Sequence, residues 1–274
     1  MTKREKNRNK VFSGILWLLS LTVIYPLVMV ILTSFKEKRE ASSLNVALPR
    51  IWQWGNYAEV LEHGDVIRAL FNSLFVSSIT VILVLATASM LGYAIARRET
   101  RLSKIIDKLI TFGIIAPFTA MPTMMLLQEL KIYGSLWGLI FVYAALYLPF
   151  TTMIITSYIK GLPRELDEAA VIDGAVGMEL FLRVIVPLLK PVAATAVILV
   201  FMWSWNELQI PLYLLNSSTQ YTLPMSVYSF YGAFNTSWNL VCADVIVVSL
   251  PIIILYMFAQ KHVIAGMTSG AVKM

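Results

Sequence analysis

Residues 160–187 are the stretch whose side chains are spaced to act together. Glu165, Asp167 and Glu168 crowd into four positions, Ala169-Ala170 follows, and Asp173-Gly174 comes next. Pro163 suits the first turn of a helix, where its missing N–H leaves no bond unmade. Acids in that turn favour the positive end of the helix dipole. Leu162, Leu166, Ala169 and Ala170 then share one face, and Gly174 can supply the positive φ that ends a helix. A second amphipathic stretch runs to Pro187 with Phe181, Val184 and Ile185 on its apolar side. The spacing predicts helix, glycine turn, helix. Such a unit can meet cations on a partner and admit another backbone against its alanines. It can equally pack on its own bundle, and the residue types leave both readings open.

A second group is Trp203, Trp205, Asn206 and Glu207 at the end of an apolar segment. Indole faces beside an amide and a carboxylate suit a sugar ring. Anchoring at a membrane interface is the other use of tryptophan at such a place. Elsewhere the chain lacks the patterns of catalysis. It has no His-Glu-x-x-His, no Gly-x-Ser-x-Gly, and no Gly-x-x-x-x-Gly-Lys-Ser/Thr with which to hydrolyse ATP. One cysteine, Cys242, and two histidines, His63 and His262, offer no disulfide and no metal cluster at their spacing. No bound cofactor is expected.

The elements that must hold these residues are membrane helices. The 274-residue chain is 58% hydrophobic and 14% charged, with a mean hydropathy of +0.73; a soluble domain is roughly 45–50% apolar and about 25% charged. The apolar residues fall in six blocks, at about 11–35, 70–96, 106–127, 136–159, 188–206 and 241–260. About 20 apolar residues cross a bilayer as a helix, which satisfies every backbone group internally. The fold class expected is all-α, one polytopic domain over 1–274. Pro117 and Pro122 predict a kink or broken turn in the third block.

Charge sets the orientation. With residues 1–10 inside, the inner segments carry 16 Lys/Arg and the outer ones 6 of the 22, so both termini are expected in the cytoplasm. That places 160–187 and the tail 261–274 inside, and the loops 36–69 and 207–240 outside. The net charge of +6 follows from topology, because the basic residues flank apolar blocks and form no nucleic-acid face. The first block is too long for a signal peptide, and no small-residue cleavage site follows it. The loop 207–240 has no Lys or Arg, and it is either a docking surface or a solvated connector. Gly134 and Gly138 fit close helix packing or a turn equally well. Asp244 would face the bundle or the outer interface. A proton- or sodium-driven carrier would need an intramembrane relay, but Asp107, Glu129, Glu207 and Asp244 lie near block ends, and no inverted halves are visible.

Glu168-Ala169-Ala170, Asp173-Gly174 and Ile185-Val186-Pro187 together resemble the EAA loop of binding-protein-dependent ABC importer permeases, with Val186-Pro187 where that family has Leu-Pro. Asn72-Ser73-Leu74, Tyr93-Ala94-Ile95-Ala96-Arg97, Leu148-Pro149-Phe150, Trp205-Asn206-Glu207 and Thr222-Leu223-Pro224 resemble the carbohydrate-uptake members. The tail Gly266 to Lys273 is similar to the end of the maltose-type second permease, with Met274 where Gly is common. The resemblance implies a non-catalytic subunit that moves a di- or oligosaccharide by alternating access. Its implied partners are a homologous second permease, a P-loop ATPase homodimer that hydrolyses the ATP, and an extracytoplasmic solute-binding protein, all at the cytoplasmic membrane. By the same resemblance Glu168 meets an ATPase cation, Ala169 and Ala170 form the close-packed face, Asp173 and Gly174 make the turn, and Gly270 and Lys273 reach the ATPase interface. Trp205, Asn206 and Glu207 are the candidates for the substrate path.

Overall fold

The computed structural model describes residues 3–98, 100–231 and 236–271, and among these every regular element is a helix. The long ones are α1 (Lys3–Ser34), α2 (Val66–Arg97), α3 (Arg101–Ile115), α4 (Ala120–Glu129), α5 (Leu136–Lys160), α6 (Glu165–Ile172), α7 (Met178–Leu188), α8 (Lys190–Asn206) and α9 (Trp238–Ala271). Each apolar block lies on helix. By length and composition α2 and α5 can each cross a membrane alone, and α7 with α8 can do so together across a 77° bend. The third block is two helices, α3 and α4, with residues 116–119 extended between them. Pro117 lies in that gap. Pro122 is the third residue of α4, where a missing N–H breaks nothing, so the interruption belongs to Pro117 alone.

The chain forms two compact units. One holds the residues up to Arg68 with Pro224–Pro251, and the other holds Ala69–Leu223 with the chain from Ile252 onward. In the first, the loop after α1 folds into a cap. The Asn56 amide donates to the carbonyls of Ser34 and Lys36 at 2.7 and 3.0 Å and accepts from Asn239 Nδ2 at 2.9 Å. Phe35 is ringed by Trp52, Trp54 and Tyr57 with centroids 4.7–5.2 Å apart. Lys36 is fully buried, and its ammonium donates to both oxygens of Asn45 at 2.8 Å. Asp244 is buried too and accepts from Ser226 Oγ at 2.8 Å.

The second unit has α2, α5 and α8 at its heart. Val81 and Val84 of α2 meet Val200 of α8, with Tyr147 of α5 against them. α3 packs along α5. Close approach of α2 to α5 needs Gly92, since a Cβ there would stand 2.9 Å from Ile155 Cγ2. Residues 207–223 are folded and not a loose connector. Asn72 Nδ2 donates to the carbonyls of Thr219 and Tyr221 at 3.0 Å, and Ser73 Oγ accepts from Leu223 N at 2.7 Å. The Gly134/Gly138 pair proves to be a turn. Gly134 has φ +73°, and Gly138 donates to the N-cap Ser135 that starts α5.

Asn56 makes three bonds from a buried position, each worth about 1 kcal/mol net. Asn56→Ala is expected to cost about 2 kcal/mol or more, because it also orphans buried carbonyls. Thermal unfolding in detergent should show a lowered midpoint, with exposed Glu59→Gln unchanged beside it.

Candidate functional site

Residues 161–189 form the helix, turn and helix that the spacing predicts. α6 starts at Glu165, two residues after Pro163, so that proline precedes the helix and does not occupy its first turn. Glu165, Asp167 and Glu168 do fill the first turn. The helix ends in a Schellman arrangement. Gly174 N–H bonds to Val171 O at 3.0 Å and Ala175 N–H to Ala170 O at 2.9 Å, with Gly174 at φ +91°. A Cβ on Gly174 would meet nothing within 4 Å, so the requirement at this position is the backbone angle and not space.

The two sides of this hairpin differ. Toward the bundle, Phe181 and Ile185 of α7, with Leu189 behind them, are buried against Ala88 and Ala96 of α2 and Ile155 and Ile159 of α5. Tyr93 sits 5.6 Å from Phe181, ring to ring. The Phe181–Ile185 segment is wound as a π-helix, and the chain bends at Leu189. Pro191 cannot donate to the carbonyl four residues back, and its ring clashes there, so α7 cannot run straight into α8. Away from the bundle the hairpin is bare. Ile172 is 86% and Val176 66% exposed, and Leu166, Val171 and Met178 join them, with Glu168, Ala169 and Asp173 also exposed. Ala170 alone of the Ala169-Ala170 pair is buried.

Arg97, the last residue of α2, ties the hairpin's base. Its Nε stands 2.6 Å from Asp167 Oδ2, and a terminal nitrogen donates to Leu162 O at 3.2 Å. Both side chains are mostly shielded, so the pair is screened far less than a surface ion pair. Burial of Phe181, Ile185 and Leu189 supplies about 1.5–3 kcal/mol each where water is the alternative. That exceeds one ion pair, so packing holds the base and Arg97 fixes the angle. In the sequence Arg97 looks like an ordinary basic residue at a span end, and nothing in the spacing links it to Asp167, seventy residues on.

The second group also comes together in part. A groove of about 620 Å³ between α5 and α8 is lined by Tyr147, Phe150, Trp203, Asn206 and Glu207. Trp203 lies 5.6 Å from Tyr147 and edge-on to Phe150 at 5.3 Å. Glu207 Oε1 accepts from the amides of Gln209 and Ile210 at 2.9 and 3.1 Å, which fixes the carboxylate at the groove's end. Asn206 Nδ2 donates to Met202 O at 2.8 Å. Trp205 is elsewhere, 3% exposed and stacked on Phe201 at 5.4 Å. Tyr147 goes unmarked in the sequence, where the i, i+4, i+7 spacing of Tyr143, Tyr147 and Phe150 is the signal that could have found it, and Phe150 appears there only within Leu148-Pro149-Phe150. Gly270 lies in α9, and Lys273 lies outside the described residues.

Residues 88–269 match the family of binding-protein-dependent transport system inner membrane components. The chain belongs to this family. It is therefore a membrane component of a transport system and carries no catalytic centre of its own family-wide. Among similar proteins, the multiple sugar-binding transport system permease protein MsmG of Streptococcus mutans is 33% identical over 99% of this chain and 100% of its own length. The melibiose/raffinose/stachyose import permease protein MelC of Bacillus subtilis is 32% identical over 90% of this chain and 91% of its own. A chain from the crystal structure of a bacterial ABC transporter involved in import of the acidic polysaccharide alginate shares the fold, with a TM-score of 0.83 and 20% identity over 95% of this chain and 98% of that one.

Removing Arg97 leaves a shielded carboxylate unpaired. Arg97→Ala is expected to speed hydrogen exchange across α6 about tenfold, equivalent to a bond to a charged group. The exchanged pair Arg97→Asp with Asp167→Arg should restore much of the protection. An unchanged rate in Arg97→Ala would mean that packing alone orders the hairpin.

Proposed function

We propose that this chain is one permease subunit of an ATP-driven importer that carries a sugar, a di- or oligosaccharide, into the cell by alternating access. The observation that carries the reading is the hairpin of 161–189, rigidly based in the bundle and bare at its tip. An exposed patch of Leu166, Val171, Ile172 and Val176 with Glu168 beside it is a surface built to be covered by protein. The partner is a P-loop ATPase homodimer. Glu168 meets a cation there, Ala169 gives close approach, and Asp173-Gly174 turns the chain within the cleft. Motor closure then moves the hairpin as a lever on α2 and α5. A second, homologous permease completes the pore, and an extracytoplasmic binding protein delivers the sugar. The binding protein shifts the equilibrium only through its different affinity for the two states.

The positive-inside distribution supports six crossings with both termini in the cytoplasm. In that frame the tail with Gly270 and Lys273 points toward the ATPase. The chain itself binds no ATP and no metal. The groove at Trp203 is the candidate sugar contact in this subunit, because aromatic faces stack on pyranose rings while Asn206 and Glu207 offer polar partners. A sugar cargo also fits the names of the two relatives, one a multiple sugar-binding transport system permease and the other a melibiose/raffinose/stachyose import permease.

Copurification from native membranes in mild detergent tests the assembly. A second permease and an ATPase in stoichiometric amounts are expected, and a lone chain whose uptake survives ATP depletion would overturn the reading. Gly174→Pro forbids the φ of +91° and removes the bond to Val171 O. Gly174→Pro and Glu168→Lys, each made alone, should leave membrane insertion intact and abolish ATP-coupled uptake, and wild-type uptake by either variant would sink the coupling role. Trp203→Ala should raise the KM for sugar about tenfold or more, in line with truncation of a buried aromatic anchor, while Trp205→Phe leaves KM unchanged.

A further inference from the structure

A second cavity, of about 350 Å³, lies at the base of the hairpin and belongs to neither group above. It is lined by Arg98 just past α2, by Ser103, Lys104 and Asp107 of α3, by Lys160 at the end of α5 and by Arg164 beyond it. Arg98, Lys104 and Lys160 form no ion pair among the described residues. Cations from three separate elements therefore converge on one concavity, with one carboxylate, Asp107, among its described lining residues. Cations lining one concavity raise the local positive potential and attract an anion.

The surroundings say which anion. α3 is sharply two-sided. Leu102, Ile105, Leu109 and Phe112 form an exposed apolar line at i, i+3, i+7 and i+10. On a helix of 3.6 residues per turn, Lys104 falls between the cavity side, with Ser103 and Asp107, and that apolar line. Lys108 falls in the same interval. The cavity is thus continuous, through lysines, with a surface that suits hydrocarbon. The α3 start is also well fixed. Thr100 and Ser103 cap it reciprocally at 3.1 Å, and Ser103 Oγ donates to Arg98 O.

We propose that this cavity binds the phosphodiester headgroup of an anionic phospholipid, with Arg98, Lys104 and Lys160 on the phosphate and the acyl chains along Leu102, Ile105, Leu109 and Phe112. Basic pockets between membrane helices at the membrane surface take such headgroups. The inference rests on the membrane placement of the chain and not on the coupling role of the hairpin. It adds one consequence for that role. Arg164 lines the cavity and is the N-cap position of α6, so the bound lipid abuts the start of the hairpin.

Native mass spectrometry of the full chain in detergent, with whatever subunits copurify, tests this against dioleoylphosphatidylglycerol, dioleoylphosphatidylcholine and inorganic phosphate. Phosphatidylglycerol should be retained in preference to phosphatidylcholine. The double variant Lys104→Gln with Lys160→Gln should lose that retention by roughly 25-fold, about fivefold per cation. Both lysines are exposed, so the variant keeps the fold, and Lys104→Arg with Lys160→Arg should keep the lipid. Equal retention of the two lipids, or retention unaffected by the glutamines, would overturn the proposal. Displacement of phosphatidylglycerol by equimolar inorganic phosphate would overturn the lipid assignment and make the cavity a free-anion site.

Discussion

The approach of α2 to α5 at Gly92 is the constraint on which the hairpin depends. A single methyl there would collide with Ile155 Cγ2 and crowd the Thr156 backbone, and the two helices would have to part. One turn further along, the same pair of helices supplies Ala96, Ile155 and Ile159 to the socket that receives Phe181 and Ile185. Arg97 follows directly, aimed at Asp167. If the helices spread, the socket opens and the ion pair loses its geometry together. Small residues are the means by which membrane helices come this close, since lipid gives no hydrophobic force between them.

That arrangement separates what is fixed from what is free. The base of the hairpin is buried at Phe181 and Ile185 and tied by the Arg97–Asp167 ion pair. Its tip carries exposed apolar side chains, Ile172 and Val176 among them. A lever needs both properties, because force applied at the tip must reach the bundle without loss. The bend at Leu189 extends the path, for α7 and α8 are one continuous chain turned through 77°. Motion of the hairpin would therefore be felt by α8, whose far end carries Trp203, Asn206 and Glu207.

Charge is sorted along the same axis. The cations gather at the end of α2 and α5 where the hairpin leaves, both in the Arg97–Asp167 tie and in the anion cavity beside it. The other end of α2 uses an amide and a hydroxyl instead, at Asn72 and Ser73. Among these basic residues, Arg97 serves to anchor the hairpin.

The sequence by itself determined the element types and the hairpin. Six apolar blocks admit only helices in lipid, the prolines of the third marked it for interruption without saying that Pro117 and not Pro122 would make it, and Gly174 could end α6, because these follow from local backbone chemistry and need no distant partner. Capping at Gly174 was legible for that reason down to the residue. The contacts of the sites were not. Which tryptophan faces the groove depends on the rotation of α8 against α2 and α5, and a uniformly apolar helix has no polar side to reveal it; Trp203 and Trp205 are two residues apart and end up on opposite sides. The pairing of Arg97 with Asp167, and the convergence of Lys104, Lys160 and Arg98, join residues from separate helices. Only tertiary packing decides such meetings, because helical periodicity carries information over three or four residues and none over seventy.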